Sequence, residues 1–524
     1  MGMSEPRVVI AQLSPTRGDF TAQARSIRQA ASIAHAEGHD AVVTGEFALS
    51  GGPLDALADQ QWFMEDSEDA LTRLAADLAS DGVGDLAVIV GHPALTPAGT
   101  HSAASVLRHG RVEATQLNTH PARWLNCDPA PVGWSDHLRI ALGDGIAALT
   151  VGGGSEDART SRVAPDADVL IVVGAEPATR SLPLQNRALG LPRPVVWANL
   201  AGGADDVVFS GSSSRWAADG SVQARGAYAV ADTVVGNSSA PRPESLHERV
   251  WTALVVGVRD YVTKNGFPGV LLGLSGGIDS ALCAVLAADA VGPERVRGVS
   301  LPSRFSSEHS RTDAADLVAA TGIRFETQPI ADLVAPVTDQ LNLSGTAAEN
   351  VQARIRAVVL MGISNMSGEL LLTTGNRSEI LVGYSTIYGD SAGGFAPIKD
   401  IPKTLVFELC RWRNEQAQRN GEVAPIPENT ISKPPSAELS PGQQDSDTLP
   451  DYDLLDAILE AHTVRGLGRA SLCEAGYDSA TVDQVVRLVA RAAWKRRQGA
   501  IGPVLSGFPQ GRARLEPVTV SAHA

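Results

Sequence analysis

The residues with the clearest chemical potential in this 524-residue chain form one short segment, Ser275-Gly276-Gly277-Ile278-Asp279-Ser280. Two adjacent glycines allow the backbone to turn sharply and to approach a ligand closely. Successive amide groups at such a turn, with the positive end of a following helix, form a cradle for an anion. Ser275 and Ser280 add hydroxyl donors, and the Asp279 carboxylate suits a phosphate that carries a metal ion. The segment therefore predicts a nucleotide site.

The spacing of this segment differs from that of a Walker-type phosphate loop, which needs a lysine and a longer glycine interval. A glycine-rich turn without a ligand is the alternative, but the complete S-G-G-x-D-S string follows an apolar strand and is more specific than a lone glycine pair. The string resembles the pyrophosphate loop of the ATP pyrophosphatases, which split ATP into AMP and pyrophosphate. This resemblance implies that ATP is bound by Gly273, Ser275, Gly276, Gly277, Asp279 and Ser280.

The composition limits the classes of function. The net charge of −16 argues against a nucleic-acid partner. No apolar run is long enough to span a bilayer and no basic, apolar signal is apparent, so we expect a cytoplasmic protein without a membrane partner. The cysteines are far apart, show no paired metal-ligand spacing and are expected to be reduced thiols; they are Cys127, Cys283, Cys410 and Cys473.

The elements that position the loop alternate between strands and helices. We predict helices over Leu246–Lys264, Ser280–Ala290, Asp313–Thr321 and Glu349–Met366, and strands over Val296–Leu301, Arg324–Pro329 and Leu370–Thr374. This alternation predicts an α/β domain with a doubly wound parallel sheet, whose ligands lie at the carboxyl ends of the strands. A serine- and proline-rich stretch, 232–244, predicts the boundary between domains 1–240 and 246–524.

The second half of the chain resembles the NAD synthetases, and among them the glutamine-dependent type. Beyond the SGGIDS loop, the matching strings are 301–304 (LPSR), 349–356 (ENVQARIR), 373–379 (TTGNRSE), 382–384 (VGY), 388–390 (YGD), 399–400 (KD), 403–404 (KT), 433–439 (KPPSAEL) and 495–498 (KRRQ). The resemblance implies an ATP-pyrophosphatase domain that amidates deamido-NAD through an adenylated intermediate. It also implies a cytoplasmic homo-oligomer of two or more copies.

The residue types at several of these positions suggest specific roles. Asn350 and Arg354 are four residues apart on a helix and share a face that could hold a dinucleotide, although a solvated helix face would look the same. Thr374 follows a strand and is predicted to meet the adenosine of ATP. Glu379 is predicted to bind magnesium together with Asp279, or the dinucleotide.

Lysine usage supports the same assignment. The chain has only five lysines, and the resemblance gives catalytic roles to Lys399 and Lys403 and deamido-NAD-binding roles to Lys495 and Asp390. The first 263 residues contain no lysine at all. A polar, proline-rich stretch, 429–450, is either a surface loop or a lid over the active site, and the resemblance favours the lid.

The first half also shows strand and helix alternation, with a single strand predicted over Ala104–Gln116 and a hairpin turn at Asp219-Gly220. Local strings such as 45–51 (GEFALSG) and 198–211 (ANLAGGADDVVFSG) resemble the nitrilase-like carbon–nitrogen hydrolases, which form an αββα sandwich. Their catalysis needs a glutamate base, a lysine and a cysteine nucleophile. Glu46 matches the glutamate.

The lysine and cysteine of that triad have no counterpart here. The stretch 116–121 reads QLNTHP and the stretch 151–157 reads VGGGSED, and neither contains the required residue. An arginine such as Arg123 could donate hydrogen bonds but would not shuttle a proton as lysine does. Cys127 stands in the unmatched setting WLNCDPAP. We therefore interpret Glu46 as a remnant of a degenerate amidase.

The sequence thus predicts an NAD synthetase that uses ATP, magnesium, deamido-NAD and ammonia, the ammonia being free or supplied by a separate partner. A rival hypothesis is a glutamine-dependent enzyme in which Cys127 or another group replaces the lost triad. A third makes the first half a binding or regulatory module. A fourth keeps the ATP chemistry with a different acid substrate.

Overall fold

The computed structural model describes residues 5–118, 137–152, 167–179, 193–236, 240, 245–436, 438–440, 442–506 and 518. Contacts within the chain divide it into two compact units, Met1–Ala253 and Leu254–Ala524. The division falls inside helix Leu246–Lys264, whereas the sequence placed it ahead of this helix. The first part of the predicted boundary stretch is ordered as a strand, Asp232–Val234, because it pairs with the first strand of the chain.

The first unit contains fourteen strands and two helices among its described residues, apart from the helix at the division. The strands β1–β14 are Val8–Gln12, Ala41–Thr44, Ala87–Thr96, Gly99–Arg108, Arg111–Leu117, Leu138–Leu142, Gly145–Val151, Val169–Val173, Val195–Ala198, Ala201–Ala204, Val207–Ser210, Ser214–Trp216, Val222–Arg225 and Asp232–Val234. The helices are α1, Phe20–Ala36, and α2, Gln61–Ser80. A short 3₁₀ turn lies at Asp55–Asp59.

These strands form two six-stranded sheets with the orders β14-β1-β2-β3-β4-β5 and β13-β12-β9-β8-β7-β6, and β10 and β11 form a separate pair. The alternation of side chains along a strand explains how the sheets stack. Val8 and Ile10 of β1 point into a core shared with Leu149 and Ile171 of the other sheet. Their neighbour Val9 points the opposite way, into a core shared with α1 and α2.

The first unit is therefore a two-sheet sandwich with helices on the outer face of one sheet, and the predicted α/β class is confirmed. The predicted single strand over Ala104–Gln116 is wrong, because the chain reverses at His109 and Gly110 and forms β4 and β5. Both residues have positive φ, 54° and 74°, which is the backbone of a tight hairpin turn. The predicted hairpin turn at Asp219-Gly220 does join β12 and β13.

The second unit is built on a four-stranded sheet covered by helices. Its strands β15–β18 are Val270–Gly273, Val296–Ser300, Arg324–Thr327 and Leu370–Leu371. The helices from α3 onward are Leu246–Lys264, Ile278–Val291, Glu308–Thr321, Ala331–Gln340, Thr346–Ser367, Arg377–Val382, Lys403–Arg419, Glu428–Ser432, Tyr452–Leu459, Arg469–Glu474 and Ser479–Arg496, numbered α3–α13. Short 3₁₀ turns lie at Pro293–Arg295 and Asp445–Asp447, and a π-helical turn lies at Glu460–Val464.

The sheet has the order β17-β16-β15-β18, and all three pairings are parallel. The predicted doubly wound parallel sheet is thus confirmed. β18 is shorter than predicted because Leu372 forms a bridge with Phe395, and the Thr373 N–H donates to the Phe395 carbonyl at 3.0 Å. Among the described helices of the chain, none combines the length and apolar character needed to cross a membrane.

Candidate active site

A cavity of about 300 Å³ lies at the carboxyl ends of β15, β16 and β18. Parallel strands place their following loops along one edge of the sheet, which is where such folds bind ligands. Most of the predicted site residues line this cavity, namely Gly273, Ser275, Gly277, Asp279, Ser280, Thr374, Glu379, Asp390 and Lys403. Residues that are distant in sequence are therefore assembled around one space.

The loop after β15 has the backbone that its glycines suggested. Gly276 has φ +75°, and a Cβ added there would lie 2.2 Å from the Ser310 carbonyl oxygen. The next residue, Gly277, is extended at φ −84° and precedes the first turn of α4. Only glycine at position 276 allows the loop to pass this close to the start of α5.

Hydroxyl groups brace the loop from within. The Gly277 N–H donates to Ser275 Oγ at 3.2 Å, and Ser280 Oγ donates to the Gly277 carbonyl at 2.9 Å. The two serine hydroxyls lie 3.2 Å apart. This arrangement leaves an N-terminal helix end with hydroxyls beside it at the cavity wall, which suits an anion.

The charges of the cavity centre on Lys403, whose side chain is 2% exposed. Its Nζ lies 2.5 Å from Asp279 Oδ2 and 3.1 Å from Glu379 Oε1. Burial alone would lower the pKa of Lys403, but the charges of Asp279 and Glu379 raise it above its ordinary value. We therefore take Lys403 as a buried cation that joins the two predicted metal ligands.

Several neighbouring groups influence the pKa of the Glu379 carboxyl. Burial raises its pKa to about 7, Lys403 opposes this rise, and the neighbouring Asp279 adds to it. The single positive charge of Lys403 therefore cannot neutralise the two carboxylates, Asp279 and Glu379. A bound divalent cation would relieve this excess, because two carboxylates with phosphates and waters suit magnesium. The chemistry of the two donors thus fits the predicted ion, although the described residues contain no cluster of three or more metal-ligating side chains.

Secondary contacts hold Asp279 and Glu379 in position. Asn376 caps α8: its Oδ1 accepts from the Glu379 N–H at 3.1 Å, while its Nδ2 donates to Asp279 Oδ1 at 2.9 Å. Thus one asparagine connects the carboxylate of α4 to the helix that carries Glu379. Asp456 fixes the start of α9 by accepting from the Thr404 N–H at 2.9 Å and from the Ser378 hydroxyl.

Four of the five residues predicted for deamido-NAD, all except Glu379, gather around the loop 383–390. Asn350 Oδ1 accepts from Thr386 Oγ1 at 2.7 Å, and the Thr386 N–H donates to Asp390 Oδ1 at 2.6 Å. Arg354 Nε donates to the Ile387 carbonyl at 3.3 Å. Lys495 Nζ donates to the carbonyls of Gly383 and Ser385 at 2.8 and 2.7 Å.

Of these four residues, only Asp390 is among the described residues that line the cavity. Asn350, Arg354 and Lys495 lie outside that lining, as does Lys399, whose Nζ donates to the Ala500 carbonyl at 2.6 Å. Their predicted roles in binding and catalysis stay predictions.

Sequence reasoning missed several residues that line the cavity. Asp445 is 5% exposed, and its Oδ2 accepts from the Tyr452 hydroxyl at 2.8 Å. Thr430 is 2% exposed, and its hydroxyl has no hydrogen-bond partner among the described residues. Arg356 Nε donates to the Leu301 carbonyl at 3.2 Å. Both Asp445 and Thr430 fall in the predicted lid stretch, so its polar residues were the available signal.

The first unit contains the predicted amidase remnant. Glu46 is 2% exposed, and burial raises its pKa to about 7. The buried Asn118 directly follows β5, and its N–H donates to the Ser102 carbonyl at 2.8 Å. Gly152 follows β7 at φ +86°. A Cβ at position 152 would lie 2.1 Å from Asn118 Nδ2, so the asparagine fills the space of a side chain there.

Other predicted features of this unit fall outside the described residues. These are Cys127, Arg123, residues 119–121 of the QLNTHP stretch and residues 153–157 after the strand end.

Comparison with known proteins gives a consistent picture. The NAD synthase family matches residues 250–499. The glutamine-dependent NAD(+) synthetase of Rhodobacter capsulatus is 40% identical over 95% of this chain and 96% of its own length. The structure of the Acinetobacter baumannii enzyme of the same name, solved with ADP, is 29% identical and covers 98% of both chains, with a TM-score of 0.72. That from Cytophaga hutchinsonii is 20% identical and covers 99% of this chain and 98% of its own, with a TM-score of 0.82, which shows a shared fold.

Proposed function

Because the chain belongs to the family of glutamine-dependent NAD(+) synthetases, we propose that it makes NAD from deamido-NAD, ATP and free ammonia. NAD synthetases are ligases that form a carbon–nitrogen bond. In the proposed reaction the nicotinate carboxylate of deamido-NAD attacks the α-phosphate of ATP, and pyrophosphate leaves. Ammonia then attacks the adenylated carboxyl carbon, and AMP departs.

The described cavity supports the adenylation half of this reaction. The N-terminal end of α4 and the hydroxyls of Ser275 and Ser280 line this cavity and are suited to hold the phosphates of ATP. Asp279 and Glu379 would hold magnesium, which when bound neutralises phosphate charge. Lys403 is placed to offset the charge of both carboxylates. No protein nucleophile is needed, since orientation and charge stabilisation suffice.

The observation that carries the choice of ammonia is the residue content of the first half of the chain. In the amidases that this unit resembles, a cysteine nucleophile follows the corresponding strand. Here the stretch at and after the end of β7, residues 151–157, reads VGGGSED and contains no cysteine. The first 263 residues also contain no lysine to accompany Glu46. Glutamine hydrolysis by the usual triad is therefore not supported.

A second candidate is a glutamine-dependent enzyme with an unusual nucleophile. Two observations favour it: the similar proteins carry that name, and Cys127 supplies one thiol in the first half. Ammonia from a separate glutaminase partner is a variant of the first proposal, since the synthetase chemistry is unchanged.

The two candidates are separated by measuring NAD formation from deamido-NAD and ATP with glutamine or with ammonium chloride in one preparation. We expect synthesis with ammonium and only background synthesis with glutamine. Comparable rates with both donors would contradict the proposed use of ammonia. Absence of synthesis with either donor, in a protein that is folded and releases no pyrophosphate, would contradict the NAD synthetase assignment itself.

A further inference from the structure

One segment crosses the cavity and is tied at both ends to the same helix. We define the lid segment as residues 429–436 and 438–440. Several of its residues line the cavity, among them Lys433, Pro435 and Glu438. Helix α5, Glu308–Thr321, begins directly beside the SGGIDS loop, since the Ser310 carbonyl limits the space at Gly276. Contacts between the lid segment and α5 therefore join one wall of the cavity to the helix beside the SGGIDS loop.

The first tie is a buried carboxylate on α5. Asp313 is 4% exposed, and it accepts from Asn429 Nδ2 at 2.8 and 3.0 Å and from Lys433 Nζ at 2.9 Å. Both donors belong to the start of the lid segment. Because the carboxylate is buried, these bonds satisfy a charge that would otherwise be costly, and this end is firmly anchored.

The second tie is Glu438, at the other end of the lid segment. Its Oε1 accepts from Ser310 Oγ at 2.6 Å and from Ser307 Oγ at 3.1 Å. Ser307 is the N-cap of α5, so the Glu438 carboxylate lies at the positive end of that helix. Lys433 Nζ approaches the same Ser310 hydroxyl at 3.3 Å. The two ties thus meet at one hydroxyl group.

Glu438 makes these hydrogen bonds from an unfavourable backbone conformation. Glu438 has φ +46°, which a residue with a Cβ rarely adopts. The following residue is held as well, since its carbonyl, that of Leu439, accepts from Gln352 Nε2 at 3.0 Å. An unfavourable backbone persists only where surrounding contacts hold it, and here those contacts close the lid segment onto α5.

We propose that Glu438 is a positioning residue that latches the lid segment to the N-terminus of α5 and so keeps water from the adenylated intermediate. This inference rests on the proposed function, because that function supplies the intermediate. Water attacking the acyl carbon breaks its bond to the phosphate oxygen and yields deamido-NAD and AMP. Each such event consumes one ATP and releases one pyrophosphate without forming NAD, so a loose lid uncouples the two products.

The test compares pyrophosphate released with NAD formed, at saturating ATP and deamido-NAD and limiting ammonium. Wild type is expected to give equal amounts. Glu438→Ala, which removes both hydrogen bonds, is expected to raise the ratio of pyrophosphate to NAD by at least about threefold, since a lost charged hydrogen bond weakens the closed state by that factor or more. Glu438→Gln keeps an acceptor without the charge and is expected to give an intermediate ratio.

Glu422→Ala, at an exposed glutamate of the same unit, is the matched control and should keep the wild-type ratio. A lower rate of both products in Glu438→Ala with an unchanged ratio would overturn the latch, because that is what a merely structural role produces. Should Glu438→Ala not fold, a wild-type ratio in Glu438→Gln would overturn it equally. Wild type that forms no NAD from ammonium would instead contradict the proposed function, so the two failures are distinguishable.

Discussion

Lys403 stabilises the pair of acidic residues, Asp279 and Glu379, in the second unit. A buried ammonium between Asp279 and Glu379 offsets charges that would repel each other in a site of low dielectric. Its backbone N–H, held by Ser378 Oγ at 2.9 Å, fixes where the side chain enters the cavity. A chain that otherwise prefers arginine keeps lysine here, where a compact charge fits between two carboxylates.

Glu46 shows the opposite case, a buried carboxyl that has no ion pair within the part of the chain that the structure describes. Its pKa is raised from the ordinary 4.5 to about 7, so the folded state binds the proton more tightly than the unfolded state. The contribution of this group to stability is therefore fully present below about pH 4.5 and is lost as the pH rises to about 7. The neutral isostere Glu46→Gln should remove that loss.

The free energy of unfolding of Glu46→Gln minus that of wild type is expected to increase by about 3 kcal/mol between pH 4.5 and pH 8. This value follows from the size of the pKa shift of Glu46. Urea unfolding at several pH values measures this difference. Glu68→Gln, at an exposed glutamate on α2, is the control and should show little pH dependence relative to wild type. A stabilisation by Glu46→Gln that is equal at both pH values would contradict the expected titration.

At the scale of elements, the turn between β15 and α4 depends more on Gly276 than on Gly277. Position 276 combines φ +75° with a Cβ position 2.2 Å from a carbonyl oxygen of α5. Position 277 is extended, and the nearest atom to its Cβ position is Ser275 Oγ at 3.2 Å, the end of a small rotatable side chain. The two glycines therefore tolerate substitution differently.

Gly276→Ala should destabilise the second unit by about 1–3 kcal/mol and raise the KM for ATP, because the loop must move away from α5. Gly277→Ala is the matched control and should cost less stability. Thermal unfolding and ATP-dependent pyrophosphate release measure the two effects. Equal losses of stability in both variants would show that the close approach to Ser310 does not limit the loop.

At the scale of the whole chain, each unit has its own core, and the described chemistry is unevenly divided between them. The second unit assembles a cavity with a phosphate-loop turn, a buried lysine and two acids. The first retains a sandwich of two sheets with Glu46 buried, but it has no lysine, and no cysteine in the stretch 151–157 at and after the end of β7. The proposed synthesis with ammonia therefore draws its reacting groups from the second unit.

Cys127→Ala tests this division. We expect it to leave the rate of NAD formation from ammonium unchanged, because no proposed step uses this thiol, and to leave the background rate with glutamine unchanged. The measurement is NAD formation with each donor, compared with wild type in parallel. A glutamine-dependent rate in wild type that disappears in Cys127→Ala would establish the rival nucleophile.

Much of the fold was predictable because local patterns agree with it. The predicted helix Leu246–Lys264 is confirmed to the residue, and the parallel sheet follows from the alternation of short apolar strands with helices. Helix α5 begins at Glu308, five residues before the predicted start at Asp313. Its first turn is polar and lacks the apolar periodicity on which the prediction relied, and it is stabilised by the N-cap Ser307. The β4–β5 turn was missed because His109 replaces the usual small turn residue.

The sequence by itself determined the composition and spacing of the SGGIDS loop, which predict phosphate binding, and the absence of lysine from the first half. Both depend only on residue types and spacing. Only the tertiary structure decided that Lys403 joins Asp279 and Glu379, that Asp445 and Thr430 line the same cavity, and that Asn118 fills the space at Gly152. These contacts join residues far apart in the chain. Strand order and helix packing set such distances, and no local pattern encodes them.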